Sequence, residues 1–173
     1  MARGAVVVVV AVGLLVGGCG AVRSGTPVAP AVADASRVDM CTILTDAELT
    51  QLGLKLNSRK PVNELGEVGC RWVGKPVTLD LERGKDTVAM YRARRNDPAF
   101  TSFADNTVNG RAGVRFSVER NRSDCAQLID GGPVALVVAV APAFSLDPPK
   151  IDSCAEALRI AQMIEPRLPR AGS

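Results

Sequence analysis

PVTLDLER, residues 76 to 83, alternates strictly: Val77, Leu79 and Leu81 point one way, Thr78, Asp80 and Glu82 the other. A period of two is the pattern of a half-buried antiparallel strand. GVRFSVE, residues 113 to 119, repeats it with Val114, Phe116 and Val118 inside. PVALVVAVA, residues 133 to 141, is different. Val134, Leu136, Val138 and Val140 alternate with Ala135, Val137 and Ala139, so both faces are apolar and the strand belongs at the centre of a sheet or beneath a cover. Turn signals separate the pieces: GKP at 74 to 76, Asn109-Gly110, and Asp130-Gly131-Gly132 between CAQLI and the doubly apolar strand.

Outward from these strands the period changes to that of helices. Thr45 can cap a helix that follows Cys41; Glu48 completes a Thr-x-x-Glu capping box, Leu49 and Leu52 share the buried face, and Gly53 ends it in a left-handed turn. A carboxyl-terminal helix reads in the same way, with Ser153 as cap, Glu156 closing the box, Leu158, Ala161 and Ile164 or Glu165 marking turns, and Pro166 as the stop. A third helix is expected over residues 86 to 95.

Four cysteines lie within this region, Cys41, Cys70, Cys125 and Cys154. An even count in an exported chain reads as two disulfides, although four cysteines allow three pairings. Cys41 with Cys70 and Cys125 with Cys154 are the favoured pairs, because each joins the start of an expected helix to an expected strand across the same number of positions. Each closure contributes about 3.5 kcal/mol in the chain-entropy treatment. A zinc site is the rival, and it lacks both C-x-x-C spacing and histidine. The expected fold is therefore α+β: an antiparallel sheet of about five strands, the amino- and carboxyl-terminal helices packed on one face, and two disulfides stapling them to it.

The amino end, MARGAVVVVVAVGLLVGGC, places one basic residue before a run from Gly4 to Gly18 with no polar side chain. As a helix that run rises about 22 Å, short of the roughly 30 Å hydrocarbon core, so a cleaved secretory signal fits better than an uncleaved anchor. Leu15, Val16, Gly17, Gly18 and Cys19 resemble the lipobox of bacterial lipoproteins. On that resemblance residues 1–18 are a lipoprotein signal peptide and Cys19 carries the lipid. Two acyl chains, at about 0.8 kcal/mol per buried methylene, make a lasting attachment where one would be marginal. Residues 19–37, rich in Ala, Pro, Gly and Ser, read as a flexible tether reaching roughly 25 Å; an edge strand through Val28 to Val32 is opposed by Pro27 and Pro30. Residues 38–169 then form a single domain, and 170–173 a disordered tail.

A wider resemblance rests on the lipobox, the tether, CTILTDAELTQLGL, the later GCRW, VNGRAGVRF, CAQL and a cysteine-led closing helix that ends near Leu168-Pro169. Together these resemble the LprB-type lipoproteins of mycobacteria and related actinobacteria over most of residues 38 to 169. Where that family often opens its domain with Asp-Pro-Cys, this chain has Asp39-Met40-Cys41. The resemblance implies an envelope lipoprotein and brings no catalytic residues with it.

Chemistry is narrowed by elimination. The chain has no histidine, which excludes Ser-His-Asp and Cys-His nucleophiles, histidine-ligated metals and imidazole bases. No phosphate-binding or dinucleotide fingerprint is present. No cofactor, metal or catalytic residue is therefore expected. Asp80 and Glu82 are the sole carboxylate pair to name, and their alternation with aliphatics reads as a solvated sheet face. Tyr91-Arg92-Ala93-Arg94-Arg95, with Arg111, Arg115, Arg120 and Arg122, offers cations to anionic lipid or wall polymer. A formal net charge of +3, to which Arg3 in the leader contributes, favours an ordinary solvated face instead. Nucleic acid is not an expected partner, since few aromatics are available to stack on bases. Trp72 beside Cys70 reads as core packing against a disulfide.

The doubly apolar strand supports one sharper expectation: Ala135, Val137 and Ala139 line a shallow groove where small side chains leave room for an acyl chain or peptide. The competing reading is a central strand sealed by a helix. The functional expectation is a lipoprotein held at the extracytoplasmic face of the cell membrane through Cys19. Its domain is non-catalytic and acts by binding or assembly, with lipid, glycan or an envelope protein as ligand. The alternative is a cell-wall hydrolase that depends on Asp80 and Glu82.

Overall fold

The computed structural model describes residues 33–64, 66–118, 121–144 and 150–170. Residues 1–32, with the expected signal peptide, Cys19 and most of the expected tether, lie outside the described residues, as do residues 171–173.

Three segments with a period of two become β3 (Val77–Arg83), β5 (Arg111–Val118) and β7 (Ala135–Pro142), joined by β1 (Lys60–Glu64), β2 (Glu67–Val73), β4 (Phe100–Val108) and β6 (Asn121–Asp130). All seven pair antiparallel in one sheet of order β1-β2-β3-β7-β6-β5-β4. The doubly apolar strand β7 occupies the middle, with three strands on either side, as its two apolar faces require.

The sheet is larger than the five strands expected, and the two additional strands, β1 and β4, are its edges. An edge strand buries little, so its sequence carries little alternation. β1 buries Val62 alone and contains Pro61; β4 carries a register shift between Thr101 and Ala104, with Ser102 at φ 52°. That bulge has a packing consequence. It brings Phe100 and Phe103, which a regular period of two would send to opposite faces, onto the same one.

α1 (Asp46–Gln51) and α3 (Ser153–Ile164) cover one face, where Leu49, Leu52, Ala157, Ile160 and Ile164 pack on Leu79, Leu81, Leu136, Val138 and Val140. Trp72, 1% exposed, lies in this core with Cys70. α1 starts on the expected capping box: Glu48 N–H donates to Thr45 Oγ1 (3.3 Å), and Thr45 N–H donates to Glu48 Oε2 (2.8 Å). Gly53 leaves the helix at φ 75°. α3 departs from expectation at its cap, which is Asp152 rather than Ser153. The Asp152 carboxylate accepts from the backbone N–H of Cys154 and Ala155 (both 3.0 Å), Ser153 is buried as the first helical residue, and Glu156 turns to Arg159. A carboxylate satisfying two orphan donors also meets the positive end of the helix dipole, which a hydroxyl does not. Pro166 does not end the helix directly; it lies within a 3-10 turn, Glu165–Arg167, that continues from it.

Two disulfides close the structure, Cys41–Cys70 and Cys125–Cys154, with Cα separations of 5.1 and 5.0 Å. The first joins the segment before α1 to β2, the second joins β6 to α3. Before Cys41, the Asp39 carboxylate accepts from the Cys41 N–H (2.9 Å) and the Thr42 hydroxyl (3.1 Å) and so forms the turn. The third helix, α2 (Val88–Ala93), is shorter than residues 86 to 95, begins at the Thr87 cap, and packs on the opposite face of the sheet. The architecture is thus a sheet between two unequal layers, with α2 covering only part of its side.

Candidate functional site

What α2 leaves uncovered is a cavity. Val88 and Tyr91 of α2 pack against Ala135, Val137, Leu128, Val114 and Phe116 in a second, smaller core. Beside it opens a space of about 460 Å³ whose apolar wall includes Phe100, Phe116, Val118, Ala126, Val137 and Ala139. Glu67, Glu82, Lys85, Asp86 and Arg94 bring charge to its rim and floor. Four of the chain's six aromatic residues gather here. Phe116 lies 4.5 Å from Phe100, 5.8 Å from Phe103 and 5.8 Å from Tyr91, centroid to centroid.

Of the three residues expected to line a groove, Val137 and Ala139 border this cavity, while Ala135 is sealed at 0% exposed beneath the segment that leads into α2. Its N–H donates to Asp86 O (2.7 Å) and its carbonyl accepts from Gly84 N–H (2.8 Å), so that end of β7 is covered by chain rather than open.

Asp80 and Glu82 share this face of β3, which is not uniformly solvated. Asp80 is held by Arg71, whose Nε and Nη2 donate to its two oxygens at 2.6 and 2.8 Å. Glu82, 7% exposed, turns instead to Glu67 on β2. Burial pushes the Glu82 carboxyl up to about 8, and the hydrogen bond and negative charge of Glu67 add to the effect, so near neutral pH Glu82 keeps its proton. Tyr91 donates its hydroxyl to Glu67 Oε1 (3.1 Å); burial, then the charge of Glu67, hold that phenol above its ordinary range.

Gly69 makes room for the pair. It lies opposite Glu82 in the β2–β3 register, and a Cβ there would come within 1.9 Å of the Leu81 carbonyl oxygen. With no side chain between them, the diagonal neighbours Glu67 and Glu82 can meet. Glu67 is absent from any reading of the sequence alone because only the register brings it to Glu82. The alternation of EVGCRWV, residues 67 to 73, is the one local signal that it shares a face with Gly69 and Arg71.

The arginines are largely engaged. Arg94 pairs with Asp86 (2.7 Å) and lies over the Tyr91 ring (4.8 Å); Arg92 (2.6 Å) and Arg95 both bind Asp105; Arg111 pairs with Glu165 (3.0 Å). Among the described residues no group of three or more histidine, cysteine, aspartate or glutamate residues could hold a metal ion, and no helix is long and apolar enough to cross a membrane.

No curated protein and no solved structure matches the chain. A family model does, over residues 14–167, and so takes in both the cysteine at position 19 and the folded domain. The chain belongs to the family described as "Protein of unknown function (DUF3558)".

Proposed function

We propose that this chain is an LprB-type envelope lipoprotein, held at the extracytoplasmic face of the cell membrane by a diacylated Cys19, whose domain binds a small ligand without transforming it. The observation that carries the binding reading is the cavity beside α2, about 460 Å³ with an aromatic and aliphatic wall and a few convergent polar groups. Small-molecule sites commonly have this composition, with volumes of about 300–1,000 Å³. The anchor reading is supported by the Leu15–Cys19 segment and by a family match that begins at residue 14.

Mass spectrometry of material co-purified with the full chain tests the binding reading. A lipid or glycan fragment retained by the native protein and lost on Ala139→Phe, which fills the cavity, is the expected result; equal recovery from both overturns it. Incorporation of labelled palmitate, abolished by Cys19→Ala, tests the anchor. A second reading, hydrolysis by carboxylates, now rests on Glu82 with Glu67, since a buried carboxyl that keeps its proton at neutral pH has the property a general acid needs. Release of soluble fragments from purified cell wall, abolished by Glu82→Gln in a folded protein, would favour it over binding.

A further inference from the structure

The Glu67–Glu82 pair lacks what the neighbouring acids have. Asp80 has Arg71 and Asp86 has Arg94, both in direct ion pairs. Glu67 accepts the Tyr91 hydroxyl, Glu82 faces Glu67, and neither carboxyl takes part in an ion pair among the described residues. The charged groups that face the pair are Arg71 on β2, Asp80 on β3, Lys85 and Asp86 on the following loop and Arg94 at the end of α2, while β5, β6 and β7 present only apolar side chains to the cavity. Arg71 and Arg94 are already committed, and Lys85, which also lines the cavity, makes no ion pair with either carboxyl among the described residues. Two carboxyls therefore lie at one end of an apolar space without a counter-ion, and Glu82 is more than nine-tenths buried. A buried acidic pair is stabilised most by a cation that brings its own hydrogen-bond donors.

We propose that the cavity takes an amphiphilic amine: a primary ammonium between Glu67 and Glu82, and an apolar body against Phe116, Val118 and Ala139. This rests on the binding reading above and names the chemistry of its ligand. On binding, the Glu82 O–H bond breaks, its proton leaves to solvent, and the two carboxylates accept N–H donors from the ammonium.

The test uses the full chain in maltoside micelles, with empty micelles as the blank, titrated calorimetrically at pH 7 with phenethylamine, 2-phenylethanol and 3-phenylpropionate. Two buffers of different ionisation heat report proton release. The amine binds about tenfold more tightly than the alcohol, the carboxylate binds more weakly than either, and about one proton is released per amine. In Glu82→Gln the amine and the alcohol come within about twofold and proton release disappears. Glu67→Gln removes one of the two acceptors, so it too narrows the gap between amine and alcohol while Glu82 still releases its proton, and this narrowing carries the test should Glu82→Gln not melt cooperatively. Equal binding of amine and alcohol by the native chain, or amine binding without proton release, overturns this inference and leaves the cavity reading standing. Failure of all three compounds to bind overturns the cavity reading beneath it.

Discussion

Replacing Glu82 by Gln should make the stability of the domain nearly independent of pH across a window where the native protein loses stability. The Glu82 carboxyl goes from an ordinary 4.5 in the unfolded chain to about 8 in the fold, chiefly through burial and then through Glu67. Between those values the folded chain keeps a proton that the unfolded chain has released. Folding stability therefore falls as pH rises through the window, and the full contribution is present below 4.5. At about 1.4 kcal/mol for each tenfold change in proton activity, the ceiling is on the order of 5 kcal/mol. The carboxyl lines a cavity that opens to solvent, and that screening reduces the expected loss to about 2 kcal/mol. The chain suits the measurement: it has no histidine to titrate in the same window, and its single tryptophan, Trp72, is 1% exposed and reports unfolding by fluorescence. Urea unfolding at pH 5 and pH 8 should show the native midpoint falling while that of Glu82→Gln holds, at constant m-value. Parallel falls in both proteins would refute the account of a buried carboxyl that keeps its proton.

Three further outcomes are expected. Paired replacement of Cys125 and Cys154 by Ala opens a loop with a sequence separation of 29 and costs about 3.5 kcal/mol, measured as a drop in urea midpoint against the native chain under oxidising conditions. Glu48 is held at about 2 by Arg167, then by the Thr45 backbone and hydroxyl; its contribution is present above 4.5 and lost as pH falls toward 2, so Glu48→Gln should flatten the acid limb of the stability profile by about 1 kcal/mol or less, as suits a pair open to solvent. Arg111 ties the β4–β5 turn to the carboxyl-terminal segment, donating to Glu165 (3.0 Å), Asp130 O (3.1 Å) and Pro169 O (2.8 Å); Arg111→Ala should cost about 2–4 kcal/mol and speed amide exchange in α3, read by hydrogen-exchange mass spectrometry.

The sequence by itself determined whatever depends on neighbours along the chain. The alternation of Val77, Leu79 and Leu81 made β3 legible, the two apolar faces of residues 134 to 140 put β7 at the centre of the sheet, and Thr45 with Glu48 marked the start of α1. The cysteine spacing pointed to the two disulfides for the same reason, since each joins one recognisable helix start to one recognisable strand. The edge strands β1 and β4 left no such trace, because residues that bury little are under little pressure to alternate. The choice of Asp152 over Ser153 as cap turned on which of two adjacent polar residues the sheet buries. Tertiary structure alone decided the site: the bulge that gathers Phe100 and Phe103, the register that sets Gly69 opposite Glu82, and the meeting of Glu82 with Glu67 rather than Asp80. The energy that raises a buried carboxyl comes from what the fold stacks around it, and those neighbours lie on other strands and on a helix, at separations along the chain that local pattern does not encode.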